Sequence, residues 1–352
     1  MSEHGASVLS ERLFDQAVAT MEAASVWLGR RLGWYASLHE DGPATARELA
    51  ERTRSQPRYA REWLEQQAVA GIVIRGEGER YELPAGHAEA LLDRDSQAWT
   101  EPLIRQIVSA VLQLPALADA YRTGQGVPWH AYGAEMSEAQ GDLNRPMLLH
   151  ALARDWVPQI PDLHERLVEG ARVADVGCGQ GWSGIGLATA YPEIEVDGFD
   201  LDPVALEAAR ENAAEAGVAE RVRFHHADAA ADLAGGPYDV LMLIECLHDM
   251  PRPVEVLSAM RRVAKPGAVT LVVDEAADPV LTAPGDEVQR LLYGFSLLVC
   301  LPDSLSHPHS AGVGTVMRPD TLASFASSAG YAGVESLDVT DTGFWRIYRL
   351  VA

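Results

Sequence analysis

The stretch Asp175-x-Gly177-x-Gly179-x-Gly181 follows directly on the short apolar run Arg172 to Val176 and leads into helical spacing from Ile185 to Tyr191. Strand, glycine turn and helix together make a ligand-holding unit. Glycines let the backbone come close to a ligand and take positive φ without a Cβ penalty, and the helix N-terminus beyond them favours negative charge such as a carboxylate. Asp175 at the strand tip can accept from an amino group and would repel a pyrophosphate. The overlapping frame Gly179-Gln-Gly181-Trp-Ser-Gly184 also fits the dinucleotide fingerprint, so a nicotinamide dinucleotide is an alternative ligand and a purely structural turn a third reading. Asp200 lies nineteen positions beyond Gly181 at the end of the next strand, Glu195 to Asp200. A carboxylate there can take both hydroxyls of a nucleoside ribose. A later strand, Tyr238 to Ile244, ends in Glu245-Cys-Leu-His-Asp-Met250. Parallel sheets bind ligands beyond their carboxyl ends, so these side chains face the reacting centre. His248, with an ordinary pKa of about 6.5, can take a proton from an attacking hydroxyl while a neighbouring carboxylate holds its tautomer. Asp249 is adjacent in sequence, though not necessarily that partner, and a His that only hydrogen-bonds substrate is the alternative.

The elements that must position these groups alternate as strand and helix from residue 172, as a parallel α/β sheet requires. Further strands read over Arg221 to His225, Ala268 to Asp274, Val334 to Val339 and Phe344 to Val351, which gives seven. Asp202 caps a helix opened by Pro203 and closed by Gly217. Ahead of this domain, residues 8 to 38 carry apolar positions at helical spacing, and Thr45-Ala-Arg-Glu48 is a capping-box pattern. A second helix from Pro57 to Gly71, with Trp63, Leu64 and Val69 on its core face, precedes two short strands, Ile72 to Arg75 and Arg80 to Leu83. Residues 43 to 83 therefore read as helix, turn, helix and β-wing. The expected organisation is a winged-helix and dimerisation domain over 1–95, a helical linker and lid over 96–165, and the ligand-binding domain over 166–352. Trp129-His-Ala-Tyr132 in the lid is an aromatic loop suited to stack on a ligand. The helix 286 to 301 presents Phe295 on an apolar face that can line a substrate pocket.

The glycine frame resembles motif I of class I S-adenosylmethionine (SAM) methyltransferases. Ala227-Asp228-Ala229 resembles the acidic position that meets the adenine amino group in those enzymes, and the His-Asp after the fourth strand looks like the His-Asp-Trp of plant O-methyltransferases, with Met250 in place of the tryptophan. Arg30-Arg-Leu-Gly-Trp-Tyr35, Gly314-Thr-Val-Met-Arg-Pro319 and Phe344-Trp-Arg-Ile-Tyr-Arg-Leu350 look like the mycobacterial winged-helix type of small-molecule methyltransferase. The resemblance implies a seven-stranded Rossmann-like SAM methyltransferase domain behind a mostly helical winged-helix domain that pairs two subunits. It implies SAM contacts at Asp175, Gly177, Gly179, Gly181, Asp200, Leu201, Asp228, Ala229 and Glu245, with S-adenosylhomocysteine (SAH) as product. His248 and Asp249 are the implied catalytic pair, and Trp129, Tyr132, His248 and Phe295 the substrate wall. No downstream glutamate matching the plant pattern is placed.

Composition narrows the partners. The net charge of −23 over 352 residues disfavours nucleic acid and anionic membranes and leaves a small molecule as partner. No apolar run approaches a membrane span, and MSEHGASVLSERL lacks a signal-peptide core, which points to the cytoplasm. Cys178, Cys246 and Cys300 are far apart and lack metal-ligand spacing, so neither a disulfide framework nor a metal site is expected. The expected function is methyl transfer to a small acceptor, a specialised metabolite, with O-methylation favoured. A winged-helix regulator that senses SAM, and a SAM-fold enzyme of other chemistry, are the alternatives.

Overall fold

The computed structural model describes residues 2–231 and 233–352, with side-chain surroundings from Ala6 onward. Met1, at the start of the predicted N-terminal domain, and Asp232 lie outside the described residues. The chain forms two compact units that interleave in sequence. One comprises Met1–Ser109 and Glu138–Leu143, the other Ala110–Ser137 and Asn144–Ala352. The stretch 96–165, which the spacing predicts as one linker and lid, is thus shared between them.

In the first unit the helix Ser2–Arg31 breaks at Gly33, which takes the left-handed φ of 70° that glycine tolerates, and the helix Trp34–Glu40 follows. Thr45 caps Ala46–Thr53 through the reciprocal bonds of a capping box with Glu48. The helix Pro57–Val69 then leads to the wing strands β1 (Ile74–Arg75) and β2 (Tyr81–Glu82), an antiparallel pair shorter than predicted. Trp63 is the hub of this core, its ring 4.8 Å from that of Trp34 and 5.0 Å from that of Tyr35. Gly29 is required beside it, because a Cβ there would lie 2.3 Å from the Trp63 ring. Val69 corrects the periodicity: it is 91 % exposed, because it ends the helix just before Gly71 turns the chain. On the outer face of Pro57–Val69, Arg58 pairs with Glu62 and Arg61 with Glu65, so those arginines are committed to glutamates one turn away.

In the second unit seven strands form one sheet: β3 (Arg172–Val176), β4 (Glu195–Asp200), β5 (Val222–His226), β6 (Tyr238–Ile244), β7 (Ala264–Glu275), β8 (Gly333–Ser336) and β9 (Trp345–Val351). Their order is β5-β4-β3-β6-β7-β9-β8, with β9 antiparallel to β7 and to β8 and every other pair parallel. Both faces are covered. Val173, Val240 and Met242 belong to one core with Trp156 and Ile185, while the alternating Ala174, Leu241 and Leu243 belong to the other with Leu257 and Met260. The register Val176↔Leu243 and Ile244↔Val273 brings the carboxyl ends of β3, β6 and β7 to one edge of the sheet. Among the described residues no single helix is long and apolar enough to cross a membrane.

Candidate active site

The glycine loop leaves β3 with Gly177, Gly179 and Gly181 at φ of 74°, 50° and 80°, all in the left-handed region. Gly177 and Cys178 donate their amides to the Phe199 carbonyl, which ties the loop to β4. Two of the glycines also answer to packing. A Cβ at 177 would lie 2.6 Å from the Cys246 sulfur, and one at 181 would lie 2.6 Å from the Phe224 ring. Gly179 differs, since a Cβ there meets nothing within 4 Å. It is the glycine that borders open space, where a ligand can approach.

Asp200 stands at the end of β4, where the spacing places it. Its Oδ2 accepts the Gly179 amide at 2.8 Å and its Oδ1 the Asp202 amide at 2.9 Å. Burial pushes its carboxyl upward against those amides. Asp202 caps the helix Pro203–Glu215 by accepting from Val204. Asp175 does not open to a ligand as its place in the motif suggests. It is 1 % exposed, and its Oδ2 accepts from Ser183 Oγ at 2.5 Å. Burial raises its carboxyl to about 6, opposed by the bonds from Ser183 and the Gly184 amide. It therefore anchors the first turn of the helix Trp182–Ala190 from behind the loop. Leu201 is 52 % exposed and Ala229 is buried. Asp228, in the turn after β5, accepts the Ala230 amide at 3.0 Å and pairs with Arg252. Arg145, which the motifs do not single out, holds its guanidinium 4.4 Å from the Trp182 ring at the start of the helix behind the loop.

His248 is 1 % exposed, in the turn after β6. Its Nδ1 lies 2.8 Å from Asp274 Oδ1 and 3.0 Å from Glu275 Oε2, both carboxylates on the carboxyl end of β7. Its Nε2 faces Asp249 Oδ1 at 3.4 Å, too far for a good hydrogen bond. The ring is thus oriented by Asp274, not by its sequence neighbour Asp249. Burial alone would lower the imidazole pKa, but the carboxylates of Asp249, Glu275 and Asp274 outweigh it and hold it well above its ordinary value. Asp274 is held low because the pull of His248 overcomes its own burial, while burial drives Glu275 well up. An imidazolium bonded to an Asp274 carboxylate accounts for all three directions. Glu245, on a left-handed φ of 53°, is pushed by burial to about 7 and takes a hydrogen bond from the Asn144 side chain. Donor atoms of His248, Asp274 and Glu275 lie close enough together to suggest a metal. In that group His248 Nδ1 is already hydrogen-bonded to Asp274, and the ring also stands in a second such group with Asp249 and Cys300.

Asp274 and Glu275 were within reach of sequence argument. The rule that ligands bind beyond strand carboxyl ends applies to β7 as it does to β6.

The aromatic segment Trp129–Tyr132 is a single 3₁₀ turn stitched to the helical stretch after Phe295. Val127 donates to the Pro302 carbonyl at 2.9 Å, Trp129 N to Asp303 Oδ1 at 2.7 Å, and Tyr132 OH to the Leu298 carbonyl at 2.7 Å. Gly126 allows the approach, since a Cβ would lie 2.1 Å from the Pro302 oxygen. Tyr132 is buried in a cluster with Leu117 and Val299, and half-buried Trp129 and Phe295 pack against it. Tyr132 is therefore committed to this core, with its hydroxyl already bonded. Burial raises Asp303 to about 7, and the neighbouring charge of Asp249 adds to the rise.

A methyltransferase-domain family model matches residues 167–291, and an Rv2258c-like winged helix-turn-helix model matches residues 17–94. The ubiquinone biosynthesis O-methyltransferase of Ralstonia nicotianae is 31 % identical over 185 residues, 52 % of this chain and 69 % of that protein. The 27-O-demethylrifamycin SV methyltransferase of Amycolatopsis mediterranei is 32 % identical over 148 residues, 41 % of this chain, which spans 54 % of that relative's length. The structure of human N-acetylserotonin methyltransferase in complex with SAM shares the fold with a TM-score of 0.72 at 19 % identity, over 97 % of each chain. With these matches the chain belongs to the class I SAM-dependent methyltransferases, with an Rv2258c-like winged-helix domain ahead of the methyltransferase domain.

Proposed function

We propose that the protein transfers a methyl group from SAM to an oxygen of a small, aromatic or apolar metabolite. The observation that carries this reading is the convergence on one sheet edge of a glycine loop open at Gly179, a carboxylate at Asp200, and a buried imidazole held by the next strand. SAM supplies an electrophilic methyl on a sulfonium. Gly179 gives the backbone close approach, Asp200 receives the ribose hydroxyls, and Asp228 receives the adenine amino group. The amides at the start of Trp182–Ala190, with the Arg145 cation beside them, favour the carboxylate end.

The carboxylates of Asp249, Glu275 and Asp274 favour the charged form of His248, which suits it to orient the acceptor oxygen as a donor more than to wait as a free base. Asp249, whose buried Oδ1 lies on the Nε2 side of His248 and lacks a hydrogen-bond partner among the described residues, is placed to take the acceptor's proton. The apolar turn at Trp129 and Phe295 excludes water and lines the acceptor side. Leu9, Leu13, Phe14, Val18 and Met21 are exposed along the first helix, and this apolar face supports pairing of two winged-helix units in a homodimer. The predicted location is cytoplasmic.

Calorimetry with SAM, SAH and NAD tests the cofactor assignment. SAM and SAH should bind the wild type and be lost in Asp200→Ala. Binding of NAD without SAM would refute it, and the assignments at Gly179 and Asp200 would fall with it.

A further inference from the structure

Arg252 stands where local structure gives no reason for a cation. It is the residue before the helix Pro253–Val263, whose N-terminus carries partial positive charge and favours anions. Prolines at 251 and 253 restrict the backbone on both sides, and the Pro251 carbonyl is held by the Ala311 amide at 2.8 Å. The guanidinium reaches out of this stiff segment to Asp228 Oδ2, across from the turn after β6 to the turn after β5. Asp228 Oδ1 is fixed in turn by the Ala230 amide, and the Asp228 carbonyl by the Ala231 amide. Among the described residues, two of the roughly four lone-pair sites of this carboxylate are therefore used. Both side chains are more than one-third exposed, so a ligand can reach the pair.

We propose that Arg252 is the positioning residue for purine recognition: it fixes the Asp228 carboxylate in the orientation that accepts a 6-amino group, and so sets selectivity for adenine over a 6-oxo purine. The proposal rests on the cofactor reading above. A carboxylate accepts from an amino group, whereas a 6-oxo purine presents an oxygen at the same place and leaves two acceptors facing each other. Without the guanidinium, Asp228 is free to rotate toward water, and the discrimination is lost with it.

The test is calorimetric affinity of SAH and of its 6-oxo analogue, S-inosylhomocysteine, for the wild type, Arg252→Gln, Arg252→Lys and Asp228→Asn. The wild type should prefer SAH. Arg252→Gln should weaken SAH by about tenfold and leave the 6-oxo analogue unchanged, which collapses the ratio. Arg252→Lys, which keeps a charge but loses the planar fork, should fall between. Asp228→Asn, whose amide can donate, should narrow or reverse the preference. Equal weakening of both ligands in Arg252→Gln would mean a merely structural role, and an unchanged ratio would equally overturn the proposal. A wild type that binds neither ligand would instead refute the SAM reading itself.

Discussion

Two of the buried ionic clusters among the described residues, one around Arg105 and one around His248, are built on opposite rules. In the N-terminal unit Arg105 sits between Glu101, at 3.1 Å, and Asp142, at 2.5 Å, with Arg94 2.8 Å from Asp142 and Arg30 3.8 Å from Glu101. Guanidinium groups outnumber carboxylates there. Around His248 the balance is reversed: one imidazole faces Asp249, Asp274 and Glu275, and the charge of Glu245 also bears on it. A cluster whose charges pair with one another offsets much of its desolvation and fixes a packing arrangement. A cluster in which several carboxylates crowd one imidazole carries surplus negative charge and is held in readiness for something else. The difference separates scaffold from site without reference to any relative.

The contrast can be broken from the scaffold side first. Arg105→Met leaves Glu101 and Asp142 buried with their shared cation gone, and should cost about 3–5 kcal/mol in chemical denaturation. Replacing all three by apolar residues of similar size should restore most of that loss. His248→Gln tests the other cluster. Its carboxylates can protonate, as Glu275 is already driven to do, so stability should change less than in Arg105→Met. Methyl transfer to an identified acceptor should nevertheless fall about a hundredfold, read as kcat with SAM saturating.

The surplus charge also predicts a sign for pH. Glu245 and Asp303 titrate near 7 when folded, above their unfolded values, so the folded chain binds more protons through the interval below that. Stability from these groups is therefore lost as pH rises from about 4 to about 7. His248, raised above its unfolded value, contributes stability below about pH 6.5 that is lost as pH rises through its folded pKa, in the same direction. Glu245 and Asp303 together should make the unfolding free energy about 4 kcal/mol higher at pH 5.5 than at pH 8, and the double change Glu245→Gln and Asp303→Asn should remove that part of the slope. The smallest effect belongs to the scaffold's edge. Thr45→Ala removes the capping hydroxyl that accepts from Glu48 N and should cost about 1 kcal/mol.

Legibility followed distance along the chain. The bounds of β3, β4 and β6 coincide with the spacing because Gly177, Asp200 and Glu245 punctuate them. The helix caps at Thr45 and Asp202 are equally local. Val69 misled because helical periodicity says which face a residue shares and not where the neighbouring core ends. Tyr132 misled because an aromatic loop flanked by glycine looks the same whether it meets a ligand or, as here, the Leu298 carbonyl. Asp274 lies 26 residues from His248, and its pairing depends on β6 and β7 being parallel and in register.

By itself the sequence determined the parts whose physics is closed within a few residues: positive φ at three glycines, a capping box, strands that end in carboxylates, and a charge that suits small-molecule partners. Only the tertiary structure decided which carboxylate serves which group. It turned Asp175 inward to Ser183, gave Asp228 to Arg252 and gave His248 Nδ1 to Asp274. The reason is that backbone conformation is encoded by neighbours in the chain, whereas the partner of a charged side chain is chosen by strand register and burial.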